Sequence, residues 1–302
     1  GAGARRRTKG GEQLQEREQV SNHTPIEWAD STVNPVMGCD GCELWMPEAK
    51  VPVKKCYAGQ LHQVRAGRPG YADRFDEPKL FPGRMAAAAR WSDLRGVHRP
   101  DKPWFNAGPR VIFVSDMGDA LSRGVPFDFL CREIIDAAGS EKGMRHLWLW
   151  LTKQPHRMAD FARWLYANRR TWPRNLWAGT SLTEPKYLPR VEHLSRVAAP
   201  LRFLSVEPLV ADVGRLNLDG IGLVIIGGES GPGARPFDLA WARSMVAQCR
   251  AAGTACFVKQ LGANPIGFGD DAIPAAQMRD RKGGDMAEWP EDLRVREWPV
   301  TP

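Results

Sequence analysis

The apolar positions of this chain gather into short β-rich runs separated by amphipathic stretches. The runs are IEWAD (26–30), RVIFVS (110–115), LWLWLT (147–152), LWAGTS (176–181), RFLSVE (202–207), GLVIIGG (222–228) and ACFVKQ (255–260). Most are continuously apolar, as strands buried on both faces are. Between them, PFDFLCREIIDAAG (126–139) sets Phe127, Leu130, Ile134 and Ile135 at helical spacing. HRMADFARWLYAN (156–168) repeats the pattern with Met158, Phe161, Trp164 and Leu165. DLAWARSMVAQCRAAG (238–253) ends on a glycine suited to a helix C-cap. KYLPRVEHLSRV (186–197) is a weaker pattern with Pro189 near its start, and two further helices are expected near 57–66 and 79–91.

Alternation of strand and helix predicts a parallel sheet in an α/β fold. From Arg110 the runs start 37, 29, 26, 20 and 33 residues apart, the cadence of a (β/α) barrel. With seven runs, an open or incomplete barrel fits, and a doubly wound open sheet is the alternative. The interval from 30 to 110 is too long for one crossover. Three segments are expected. Residues 1–22 are polar, charged and aperiodic, and predict a disordered basic tail. Residues 23–264 form the barrel domain, with a cysteine loop at 38–59. Residues 265–302, rich in Gly, Pro and charge, form a C-terminal extension packed on the barrel.

In a (β/α) barrel the chemistry sits where strands end. RVIFVS ends at Ser115 and runs into Asp116 and Asp119; LWLWLT runs into Lys153 and Gln154. LWAGTS supplies Thr180 and Ser181, RFLSV ends at Glu207, and ACFV ends at Lys259. GLVII ends in GGESGPGARP (227–236), with Glu229 and Arg235; such a loop suits close approach of backbone to an anion, or plain turn chemistry. Strands of any fold end in polar residues. Charged residues placed directly at the exits of such apolar strands favour a shared polar site.

Composition narrows the class. Hydrophobic residues make up 43% and charged residues 25% of 302, ordinary for a soluble globular protein. No apolar run is long enough to span a membrane, and GAGARRRTKGGEQ has no apolar core after its arginines, so the expected location is the cytoplasm. A net charge of +7 favours an anionic partner such as nucleic acid or nucleotide. In a reducing compartment, Cys39, Cys42 and Cys56 suggest metal or catalysis before disulfides. Thiolates bind both zinc and iron–sulfur clusters, so ligand type does not separate the two. Zinc would draw on His62 as fourth ligand, giving C-x2-C-x13-C-x5-H. A three-cysteine cluster would leave one iron open. Cys131, Cys249 and Cys256 fall in helix or strand patterns and read as buried small hydrophobes.

Eight blocks, in order from Ile26 to Gly262, carry a resemblance: IEWADSTVNPVMGC, KKCYAG, VIFVSDMGDAL, LWLWLTKQPHRM, LWAGTSL, FLSVEPL, VIIGGESGPGARP and FVKQLG. Together they resemble a phage and bacterial protein family of unknown function that looks related to radical-SAM enzymes. The resemblance implies a radical-SAM-like barrel, a [4Fe–4S] cluster on Cys39, Cys42 and Cys56, and S-adenosylmethionine bound at the open iron. Reduction would then yield a 5′-deoxyadenosyl radical that abstracts hydrogen from a substrate. An electron-donor protein is implied, and a further partner protein is compatible with it. Members commonly carry a close C-x2-C ending in Cys-Tyr-Ala. Here Val53 stands three before Cys56, the extra cysteine is Cys42, and ELWMPEAKVPV must loop back to bring Cys56 to the others.

By the same resemblance Ser115 and Asp116, after the second strand, would hold the amino group of S-adenosylmethionine. Tyr57 would pack on its adenine or fill the barrel wall, and Thr180, Ser181 and Arg235 are further cofactor candidates. Lys153, Glu207, Glu229 and Lys259 would serve the substrate side, with a nucleic acid or nucleotide as substrate. Two other readings compete. One is a zinc-stabilised barrel that binds nucleic acid or protein. The other is a hydrolase using Glu207 and Glu229 as an acid/base pair, which leaves the cysteines unexplained.

Overall fold

The computed structural model describes residues 23–50, 52–267 and 278–299. The expected tail at 1–22, and residues 268–277 and 300–302 of the expected extension, lie outside the described residues. The fold is α/β. Seven strands form one sheet: β1 (Ser31–Val33), β2 (Arg110–Val114), β3 (His146–Thr152), β4 (Leu176–Ser181), β5 (Arg202–Val206), β6 (Ile221–Gly227) and β7 (Ala255–Gln260). Their order in the sheet is their order in the chain, and it runs from β1 to β7 without closing. This is the order of an incomplete (β/α) barrel, with helices interleaved.

By internal contacts the chain divides into two compact units. The first comprises the described residues up to Asp93 together with Arg110–Trp148. Here β1 and β2 pair in parallel, Ser31 opposite Ile112 and Val33 opposite Val114. The stretch 26–30 is a turn rather than a strand, and β1 begins one residue later. Its apolar residues are buried by another route: Trp28 lies 4.5 Å from the Phe113 ring, and Ala29 N–H donates to the Ile26 carbonyl. Asp30 then stops the turn, its carboxylate accepting from Val111 N–H at 2.8 Å.

Helix α1 (Tyr57–Arg65) follows the third cysteine. The helix expected over 79–91 is confined to Arg84–Ala88, because Lys79–Leu80 pairs as a strand with Val36–Met37. The 127–139 helix contains a π turn at Cys131–Ile135. Glu133 in that turn accepts from the N–H groups of Gly83 and Met85, so it caps the short helix.

The second unit comprises 94–109 and Leu149–Pro302 in its described part. Strands β4 to β7 are paired in parallel and nearly all buried. Helix α2 (Pro155–Ala167) and helix α3 (Pro189–Ser195) each start on a proline, which needs no N–H partner there. Helix α4 (Leu239–Ala252) is capped by the Asp238 carboxylate and ended by left-handed Gly253. Residues 295–297 run antiparallel along the outer edge of β7: Val258 N–H donates to the Val295 carbonyl, and Glu297 N–H to the Cys256 carbonyl. Arg296 lies over the rings of Trp104, Phe257 and Trp289. Among the described residues no helix is long and apolar enough to cross a membrane.

Candidate functional site

The cysteine loop is built from the first unit alone. After β1 the chain bends through Gly38, whose φ of +90° suits glycine. It is laced to the loop after β2: Gly38 N–H donates to the Met117 carbonyl, and Asp119 N–H to the Gly38 carbonyl. A Cβ on Gly118 would stand 2.4 Å from the Gly38 carbonyl oxygen, so both positions need glycine for the two loops to meet. Cys39 thus starts from a fixed point.

The inserted ELWMPEAKVPV forms a hairpin. Trp45–Met46 pairs antiparallel with Val53–Lys54. Cys42 exchanges backbone hydrogen bonds with Trp45, and the Leu44 carbonyl accepts from both Lys55 and Cys56 N–H. Cys42 and Cys56 therefore flank the same, open end of one short ribbon. Gly59 lets α1 close on it, since a Cβ there would collide with the Trp45 ring at 2.4 Å. The loop rests on a cluster of Met37, Trp45, Ala58, Ala72, Phe75 and Met117, against which Cys39 and Cys56 pack.

None of the three cysteines is in a disulfide and each is half-buried; the Cys42 sulfur accepts Leu44 N–H. Burial pushes the Cys39 thiol well above its ordinary range, and the carboxylate of Asp119 adds to this. Among the described residues no three His, Cys, Asp or Glu side chains converge closely enough to hold a metal ion. The fit to an iron–sulfur cluster is therefore one of donor type and chain path, not of closed coordination geometry. His62 packs on Tyr71 and Phe75 with its imidazole buried, and that burial lowers its basicity. The acidic groups acting on it are Asp73 and Asp76.

The turn after β2 brings several predicted residues together. Ser115 has φ +75°, a left-handed conformation costly for a side-chain-bearing residue, and its buried hydroxyl has no hydrogen-bond partner among the described residues. Asp116 is half-buried, and loss of solvent around its carboxyl raises it from the ordinary carboxylate value to about 6, against the lowering effect of bonds from Asn34 and Thr32. Tyr57, next to the third cysteine, donates its hydroxyl to the Asp116 carbonyl. Asn34 went unnoticed in the sequence. Its amide donates to Asp116 Oδ1 at 2.6 Å and its Oδ1 accepts from Met117 N–H at 2.9 Å. An Asn-Pro pair just after a strand reads as an ordinary turn, so nothing local marked it.

The second unit joins the exits of β5, β6 and β7. Lys259 Nζ lies 3.1 Å from Glu207 Oε1, with both side chains largely covered. Ser205 donates to the other Glu207 oxygen at 3.4 Å. A Cβ on Gly227 would stand 2.5 Å from Glu207 Oε1, so the glycine gives this carboxylate its place. Gly228 N–H donates to the Gln260 carbonyl, and Gln260 returns an amide N–H to the Gly228 carbonyl. Glu229 spends both oxygens on Arg235, at 2.8 and 3.0 Å, and also accepts Arg235 N–H. That pair clamps its own loop. Thr180 is fully buried and donates to the Thr152 carbonyl, a bond internal to the sheet. Ser181 is buried at the end of β4, where its carbonyl accepts from Arg190, and Lys153 follows β3, half-buried.

A parallel α/β chain with a cysteine-bearing loop after its first strand is the class these elements define. The chain belongs to the DUF5131 family, a protein family of unknown function, and the match covers residues 23–288. No curated protein and no solved structure matches the chain.

Proposed function

We propose that this protein is an iron–sulfur enzyme of the radical-SAM type, with Cys39, Cys42 and Cys56 as cluster ligands. The observation that supports this most is the Trp45–Lys54 hairpin. It returns Cys56 to the Cys42 end of the loop, a chain path that would offset the unusual cysteine spacing. When bound, a [4Fe–4S] cluster with three thiolate ligands would supply one electron to S-adenosylmethionine at its fourth iron.

In this reading the chain's own groups bind, orient and exclude water. Tyr57 ties the cysteine loop to the turn after β2, so the ligand loop and the cofactor turn keep one spacing. The unpartnered Ser115 hydroxyl is offered to a polar group of the cofactor, and the Asp116 carboxylate to its amine. Trp45, Phe75 and Met117 form an apolar wall that keeps water from the thiolates. In the second unit, Lys153 and the Glu207–Lys259 pair are the candidates for binding substrate, a nucleotide or nucleic acid in keeping with the charge of +7. Thr180 and Glu229–Arg235 hold the sheet and the loop on which those groups stand. The protein would take its electron from a separate donor protein.

The test is anaerobic reconstitution followed by iron, sulfide and zinc analysis of the wild type and of a Cys39→Ala/Cys42→Ala/Cys56→Ala variant. Roughly four irons and four sulfides per chain, lost in the variant, are expected. One zinc without sulfide overturns the proposal.

A further inference from the structure

The C-terminal end of α2 and the loop after it read RWLYANRRTWPR, from Arg163 to Arg174. The stretch holds four arginines and no acidic residue, more than half of the chain's net charge of +7. Arg163, Arg169, Arg170 and Arg174 are all exposed. Arg163 has the carboxylate of Asp160 close by. Among them stands Tyr166, 87% exposed, the most exposed of the large hydrophobic side chains described.

Helix-end electrostatics accounts for part of this, because cations at a helix C-terminus are favoured. It does not account for the rest. Arg169 directly follows the residue that ends α2 and has φ +54°, the left-handed conformation that glycine or asparagine fills at little cost. An arginine there is held against its own backbone preference, and such strain is retained where the side chain has a use. Tyr166 contributes nothing to the dipole. Its carbonyl accepts Arg169 N–H at 3.0 Å, so the ring and the strained arginine belong to one turn.

We infer that this end of α2 is a docking surface for single-stranded nucleic acid, with the arginines on phosphates and Tyr166 stacked on a base. Charge alone would suit any polyanion. An exposed aromatic ring among arginines suits unstacked bases, which duplex DNA and acidic peptides do not present. The surface precedes β4, at the end of α2 remote in sequence from the strand exits, so the inference stands whether or not the cysteines hold a cluster.

The experiment is fluorescence polarisation with a labelled mixed-sequence 20-nucleotide RNA and the equivalent single-stranded DNA, from 50 to 200 mM salt. Arg169→Gly/Arg170→Ala/Arg174→Ala should weaken binding at least tenfold at 100 mM and lower the salt slope by about 2, given roughly 0.7 per phosphate contact. Tyr166→Ala should cost about tenfold with the slope unchanged. Arg169→Gly alone should weaken binding while melting no lower than the wild type, which separates loss of contact from loss of fold. A control, Arg5→Ala/Arg6→Ala/Arg7→Ala, should keep this site's contribution. The inference is overturned if only that control loses binding or if the triple variant binds like the wild type. It is equally overturned if Tyr166→Ala is silent while duplex DNA or polyglutamate competes as well as the single strand.

Discussion

Asp116→Asn is expected to make the protein more stable at neutral pH and to remove a defined piece of its pH dependence. In the folded chain the carboxyl is shifted from 3.8 to about 6, chiefly by loss of solvent. Between those two values the folded chain holds a proton that the unfolded chain has already released. Stability therefore falls as pH rises through the window, and the loss is complete above pH 6. A shift of about 2 units at 1.36 kcal/mol each is at most ~3 kcal/mol. The residue keeps some exposure, so about 1–2 kcal/mol is the working figure. Asparagine retains the Oδ1 acceptor that Asn34 needs, with no charge to desolvate. Calorimetric melting of wild type and variant across pH 4 to 8 is the assay. The variant should melt a few degrees higher at pH 7.5, with the gap closing toward pH 4, since about 1 kcal/mol moves the midpoint of a chain this size by roughly 2 °C. A gap independent of pH, or a variant less stable at pH 7.5, would refute the account of desolvation.

Other expected outcomes follow from close contacts. Gly118→Ala places a Cβ against the Gly38 carbonyl and should separate the two loops, lowering reconstituted iron and sulfide more than it lowers the melting temperature. Gly228→Ala places a Cβ 2.4 Å from the Leu261 carbonyl oxygen, a backbone atom with little room to move, and should cost about 1–3 kcal/mol in a melting experiment. Asn34→Ala leaves the buried Met117 N–H without its acceptor and removes a donor from Asp116; a loss of about 1–3 kcal/mol is expected in denaturant unfolding. Arg235→Ala frees the Glu229 carboxylate and should raise protease cleavage within 228–236, while Arg235→Lys recovers only part of the protection because it loses the bidentate geometry.

The sheet was legible because its strands are buried on both faces. LWAGTS and ACFVKQ coincide with β4 and β7 residue for residue, and both are apolar runs with sharp polar ends. IEWAD misled for a physical reason. Its apolar residues are buried from a turn, and the strand that follows, Ser31–Val33, is too short and too polar to announce itself. The cysteine spacing showed that ELWMPEAKVPV must fold back, but nothing in it specified a hairpin. The match between Gly59 and Trp45 that closes the hairpin joins residues 14 apart with no periodic signal. Charged residues at strand exits were visible; their pairings were not. Whether Glu229 faces a ligand or Arg235 depends on a loop conformation set by glycines at 228 and 262, which are contacts across the sheet.

The antiparallel segment at 295–297 has a consequence for synthesis on the ribosome. Strand β7 leaves the exit tunnel about 40 residues before the segment that covers its outer edge. Until then that edge offers unpaired backbone groups, and Phe257 and Trp104 wait for Arg296. The growing chain thus passes through a stage in which its newest strand can pair with a neighbour on the same message. A stop codon placed just before residue 293 should leave the catalytic candidates intact and convert the product from a dispersed chain to an aggregating one.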